Sequence, residues 1–223
     1  MTLLERRRAM MGGGGGGSLA DYVQNGLIFH LDGKSRGGVA GHWTDLIGNV
    51  DFTLDAGVIE ESNGIVCTTS QFARDSTYGN NESSNSDYTI ECVFREDNNF
   101  SSYIGLFAPV SGIGFGVTTG SNPRFYFGWR DSSSSTSQWR GYRRVSTTAI
   151  NTVSINNSRG VRNGTDLTGT GTLYSSKGSS CYAGAIIGKL FSVRIYSRLL
   201  SRAEMIDNQK VDDKRFNLGL NIT

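Results

Sequence analysis

The sequence is short of three residue types, and each shortage removes a class of protein. It holds two prolines, two histidines and three cysteines, the last being Cys67, Cys92 and Cys181. A disulfide framework needs paired cysteines and structural zinc needs Cys or His at short, regular spacing, so neither is expected. Cys92 lies inside an apolar strand pattern and reads as a buried free thiol. Neither His30 nor His42 stands beside a recognisable Ser or Cys nucleophile motif, and His30 reads as a hydrogen-bonded residue on a sheet face. No apolar run approaches the roughly 20 residues of a membrane span. Residues 1–11 lead into glycines and not into the apolar run of a secretory signal, so none is expected.

Charge of one sign is also missing. The formal net charge is +2, from 22 basic and 20 acidic residues, and setting aside Arg6, Arg7, Arg8 and Glu5 leaves 19 of each. A body so balanced lacks the broad basic face of a nucleic-acid binder. What is present in quantity is glycine, 30 residues of it, spread with Ser, Thr and Asn between short apolar runs, and 37% of the 223 residues are hydrophobic. A chain of that size can bury one sizeable core, and the punctuation favours many strands and turns over a helical bundle. The expected architecture is all-β, one domain over residues 19–223.

Residues 12–17 are six glycines, which together with Ser18 form a flexible tether. The preceding MTLLERRRAMM has good helix formers but is too short to hold a helix alone, so residues 1–11 read as a docking peptide in which Leu3, Leu4, Arg6, Arg7 and Arg8 would grip a protein partner, or else as a solvated tail.

Beyond the tether, GLIFHLDG sets Leu27, Phe29 and Leu31 against Ile28, His30 and Asp32, the period of an opening strand. DYTIECVFRED alternates Tyr88, Ile90, Cys92 and Phe94 with Thr89, Glu91, Val93 and Arg95. Further strands are expected near 103–108, 113–118, 124–130, 139–145 and 150–156, with a tight hairpin at Asn163-Gly164. Ten to twelve antiparallel strands close best as two packed sheets. Near the end, Phe191, Val193 and Ile195 alternate with Ser192, Arg194 and Tyr196, a strand with one buried face. Ser201 and Glu204 then form a capping box that opens a helix expected to pack across the strand's end. Phe216, Leu218, Leu220 and Ile222 suggest a last extended segment along an edge.

In order, NGLIFHLDG, HWTDLIGNVDFTL, YTIECVFR and GKLFSVRIYSRLLSRAEMIDNQKVDDKRFNL resemble the laminin G-like, concanavalin A-like jelly-roll family in its compact bacterial and phage-associated form, over residues 25–218. The resemblance implies a two-sheet antiparallel jelly-roll sandwich with a short C-terminal helix, and a tendency to bind glycans or protein surfaces on virions or cells. LLERRRAMM before a low-complexity spacer resembles the start of small phage and prophage proteins. That implies localisation at a virion surface, or else the cytoplasm. Fold alone does not dictate function.

The same fold carries β-glucanases, whose retaining chemistry needs two carboxylates about 5 Å apart on one strand face. Here Glu91 is followed on its face by Val93 and Arg95, while Glu96 has the opposite parity. No enzymatic activity is expected, and a polysaccharide hydrolase ranks last among the readings. Some relatives bind calcium at the sandwich rim. Asp32 and Asp45 are the candidate ligands here, though their spacing matches no defined calcium loop and solvated loop acids are the alternative.

The stretch RFYFGWRDSSSSTSQWRGYRR, residues 124–144, concentrates aromatic and basic residues on one long hairpin. Sugar rings stack on aromatic faces and arginine forks pair with carboxylates or sulfates, so an acidic glycan would fit. Tyr126, Arg130, Arg140, Tyr142 and Arg144 are the expected ligand-binding residues. The expected function is non-enzymatic carbohydrate or surface binding from a tethered phage or prophage virion accessory protein. The alternative is a structural decoration module that binds only protein partners.

Overall fold

A computed structural model describes residues 18–47, 51–67, 73–74, 87–96, 104–107, 113–117, 124–130, 137–144, 150–176 and 188–223. The expected docking peptide and the six glycines of the tether therefore lie outside the described residues, while Ser18 caps a 3-10 turn over Leu19–Asp21. Sixteen strands and one α-helix are described: β1 Leu27–Asp32, β2 His42–Thr44, β3 Asp51–Leu54, β4 Ile59–Glu61, β5 Gly64–Cys67, β6 Ala73–Arg74, β7 Thr89–Glu96, β8 Ile104–Phe107, β9 Ile113–Val117, β10 Arg124–Arg130, β11 Ser137–Arg143, β12 Ile150–Asn156, β13 Gly160–Arg162, β14 Thr165–Asp166, β15 Gly169–Ser176, β16 Gly188–Tyr196 and α1 Arg202–Phe216. The protein is an all-β antiparallel sandwich with one C-terminal helix.

One sheet runs β14-β13-β12-β7-β16-β5-β4, with β1 beside β5 on the same flank of β16; a five-stranded sheet runs β15-β11-β10-β9-β8; a three-stranded one runs β2-β3-β6. Between the sheets lies a core in which Ile90, Cys92 and Phe94 of β7 meet Phe115, Phe125 and Phe127, joined by Trp43 and Phe52 of the small sheet. Phe94 meets Phe115 and Phe125 edge-on, with centroids 6.0 and 6.2 Å away, the geometry in which ring quadrupoles attract. The β7 alternation thus does what its pattern dictates. The Asn163-Gly164 hairpin forms as expected, with φ of 47° and 77°.

The closing strand departs from its expected single buried face, because every residue of β16 is buried. A β-bulge at Phe191 lets Leu190 pair with Phe94 and Ser192 with Val93. Phe191 therefore leaves the face of Val193 and Ile195 and packs with Val93 and Phe216. The other face is covered by α1, which lies over the sheet and not merely across the strand's end. A similar slip in β1 between Leu27 and Phe29 sends Leu27 to the helix side, where it packs with Tyr196, Leu200, Met205 and Ile206.

The covered face is polar. Arg194 donates to Glu91 Oε2 at 2.9 Å and, through both terminal nitrogens, to the Asp212 carboxylate at 2.7 and 2.6 Å. Its guanidinium lies 4.1 Å from the Tyr22 ring centroid, and the Tyr22 hydroxyl donates to Asp212 Oδ1 at 2.8 Å. Asn208 donates to Glu91 Oε2 and to the Tyr196 hydroxyl, Gln209 donates to Ser154 Oγ, and Arg215 grips Asp32. Although burial works against its charge, the two carboxylates hold Arg194 above the usual guanidinium range. The helix thus presents Asn208, Gln209, Asp212 and Arg215 to the sheet, one polar stripe matched to another.

Ser201 caps α1 with Glu204 in the expected capping box, and Asn217, left-handed at φ 53°, ends it. The expected extended tail does not form. Phe216 belongs to the helix, and Asn217, Gly219 and Asn221 all take positive φ, so the chain curls instead of extending.

Candidate binding surface

The β10–β11 hairpin is built as the sequence indicates, but its register sorts the expected site residues onto different faces. Arg124 stands opposite Arg143, Phe125 opposite Tyr142, Tyr126 opposite Gly141, Phe127 opposite Arg140 and Arg130 opposite Ser137. Directly opposed residues share a face, so Tyr142 and Arg140 go with the core phenylalanines while Arg124, Tyr126, Gly141 and Arg143 face outward.

Tyr142 is fully packed. A Cβ on Gly160 or Gly169 would stand 3.1 or 2.9 Å from its ring, so the ring is gripped between two glycines, and its hydroxyl donates to the Asn156 carbonyl. Burial pushes its phenol up to about 12. Arg144 is buried beside Phe125 and paired with the Glu96 carboxylate. Burial outweighs the pull of that arginine and pushes the Glu96 carboxyl up to about 7. Arg140 is half-buried and donates to Asn157 Oδ1 at 3.2 Å. Arg130 lies on β10, and its side chain is outside the described structure.

On the outward face, Tyr126 and Arg124 are half-buried and Arg143 is exposed. A Cβ on Gly141 would stand 2.9 Å from Tyr126 Cε1 and 3.0 Å from Arg124 Cδ. The aromatic ring and the arginine stem therefore lie side by side over bare backbone, held down by the missing side chain. Beside Gly141 the β11–β15 register slips, two steps on β11 matching four on β15 between Arg140 and Tyr142. Such an irregularity re-aims neighbouring side chains. Arg124 and Arg143 belong to the basic stretch 124–144 but are not among the expected ligand-binding residues. Their signal was the Tyr126–Gly141 pairing, visible only once the register of the hairpin is known.

Among the described residues, neither Glu91 with Glu96 nor Asp32 with Asp45 forms a shared site. Glu91 lies under α1 and Glu96 points into the sandwich. Asp32 is held by Arg215, and Asp45 Oδ1 accepts from the backbone N–H of His30 at 2.7 Å and of Ile47 at 3.1 Å. Among the described residues, no group of three or more His, Cys, Asp and Glu stands together to hold a metal ion. Leu3, Leu4, Arg6, Arg7 and Arg8 lie outside the described residues.

No family model matches the sequence, and no curated protein matches it. Among solved structures the chain is similar to Trypanosoma rangeli sialidase in complex with sialic acid, with a TM-score of 0.52 and 14% identity, over 95% of this chain and 38% of that one. It is also similar to the binding domain of botulinum neurotoxin DC in complex with rat synaptotagmin II, with a TM-score of 0.52 and 12% identity, over 86% of this chain and 52% of that one. The chain thus spans about two fifths of the sialidase and about half of the toxin domain. What these likenesses share with the chain is the β-sandwich fold.

Proposed function

We propose that this chain is a non-enzymatic binding domain of the laminin G-like, concanavalin A-like kind that contacts glycans or other surface polymers through the outward face of β10 and β11. The observation that carries this reading is the Tyr126 ring laid over Gly141 beside the stem of Arg124. A flat aromatic at a surface, with hydrogen-bonding cations alongside, suits a sugar ring. The neurotoxin's similar sandwich is itself a binding domain, which fits such a role. Against a hydrolase stand Glu91 and Glu96, which occupy opposite faces of β7 and cannot flank one glycosidic bond.

In this reading the glycine run is a leash, residues 1–11 dock the chain on a larger assembly, and the setting is a phage or prophage virion surface. Single contacts of this kind are weak, and many copies on one particle convert them into avidity. Affinity electrophoresis through gels containing a panel of neutral and acidic polysaccharides tests the proposal. The chain should be retarded in at least one gel without releasing new reducing ends, and Tyr126→Ala should run freely while keeping its melting temperature within a few degrees. Unretarded migration in every gel, or retardation unaffected by Tyr126→Ala, would contradict the proposed surface.

A further inference from the structure

The β10–β11 register places two arginines, Arg124 and Arg143, directly opposite each other on the outward face, with Tyr126 and Gly141 as the next outward pair. Two cations on one outward strand face beside an aromatic ring favour an anionic ligand. Gly141 meanwhile holds the Arg124 stem and the Tyr126 ring low and side by side.

We infer that Arg124 and Arg143 together seat the anionic substituent of a sulfated or carboxylated glycan whose sugar ring lies on Tyr126. This rests on the surface-binding reading and narrows its ligand class. A guanidinium is a planar fork of N–H donors that matches a carboxylate or sulfate with two parallel hydrogen bonds. An anion that binds the folded chain and not the unfolded one stabilises the fold by mass action. The adjoining ring supplies an apolar face to the sugar's C–H groups, which a bare anion could not use.

The test titrates the full chain with dextran sulfate, polygalacturonate and neutral dextran at several salt concentrations, for the wild type, Arg124→Gln, Arg143→Gln and Arg202→Gln. Arg202 serves as the control of equal charge, being an exposed helix residue paired with Asp166. The expected result is binding to an anionic polymer that weakens with salt, falls about tenfold or more in Arg124→Gln and in Arg143→Gln, and changes less than about twofold in Arg202→Gln, since a charge-assisted hydrogen bond is worth roughly 1.5–3 kcal/mol. Preference for dextran sulfate identifies a sulfate seat and preference for polygalacturonate a carboxylate seat; either supports the inference. Thermal unfolding keeps the variants interpretable, because exchanging an arginine on the outward face should leave the melting temperature within a few degrees. Equal losses in Arg202→Gln and Arg143→Gln, or dextran bound as well as the anionic polymers in every variant, overturn the anion seat and leave the surface-binding reading standing. Failure to bind any of the three, together with free migration in every polysaccharide gel, overturns both.

Discussion

His30 shows how a residue that looks functional in a sequence is spent on folding. It is buried, with Nε2 3.7 Å from Asp32 Oδ2 and 3.4 Å from Ser192 Oγ, and the Tyr22 ring meets it edge-on at 5.3 Å. Burial first, then the Arg194 and Arg215 charges, hold the imidazole well below its usual range. In the unfolded chain it titrates near 6.5. The unfolded state therefore binds the extra proton first, and stability falls as pH drops below that value. Glu96 acts with the opposite sign, since a carboxyl raised to about 7 in the folded state stabilises at low pH and loses that contribution as pH rises through about 7. The difference between variants isolates His30: urea unfolding between pH 7.5 and 5.5 should show His30→Gln losing less stability on acidification than the wild type, and parallel pH profiles would refute the assignment. At this scale the sequence was readable for alternation and not for register. The period puts Phe125 and Phe127 on one strand face, whereas Tyr126 and Tyr142, both among the expected ligand-binding residues, are separated only by the pairing that puts them on opposite faces.

Among elements, the helix and the sheet beneath it hold each other by polar matching. Arg194 and Glu91 resemble solvent-facing residues in the strand pattern, and Asn208, Gln209, Asp212 and Arg215 resemble the wet side of a helix. Each stripe is polar, so neither announces burial, and only their juxtaposition reveals an interface. The capping box at Ser201 and Glu204 was legible because it is local. The bulge at Phe191 and the run of positive φ after Phe216 were not, since both depend on what the chain packs against. Removing one member of a buried ion pair leaves its partner's charge without compensation, at about 3–5 kcal/mol. Asp212→Ala should accordingly lower the unfolding free energy by that order in urea titrations, and a loss under about 1 kcal/mol would show that α1 is not anchored through Arg194.

For the molecule as a whole, the larger sheet is committed on both faces, to the aromatic core on one and to α1 on the other. The proposed binding surface lies on the opposite sheet, where Arg143 is exposed and Tyr126 and Arg124 rest over Gly141. The sandwich was legible because many short alternating strands, abundant glycine and little proline leave few other ways to bury the core. The make-up of the proposed site was not, because a surface site depends on which strand faces end up outward. The most direct measurement of the central claim is a glycan array probed with the multimerised chain, once in calcium and once in chelator. The account predicts reproducible hits enriched in acidic glycans and abolished when Tyr126→Ala and Arg143→Gln are combined. A blank array from a folded, multimerised chain would contradict it.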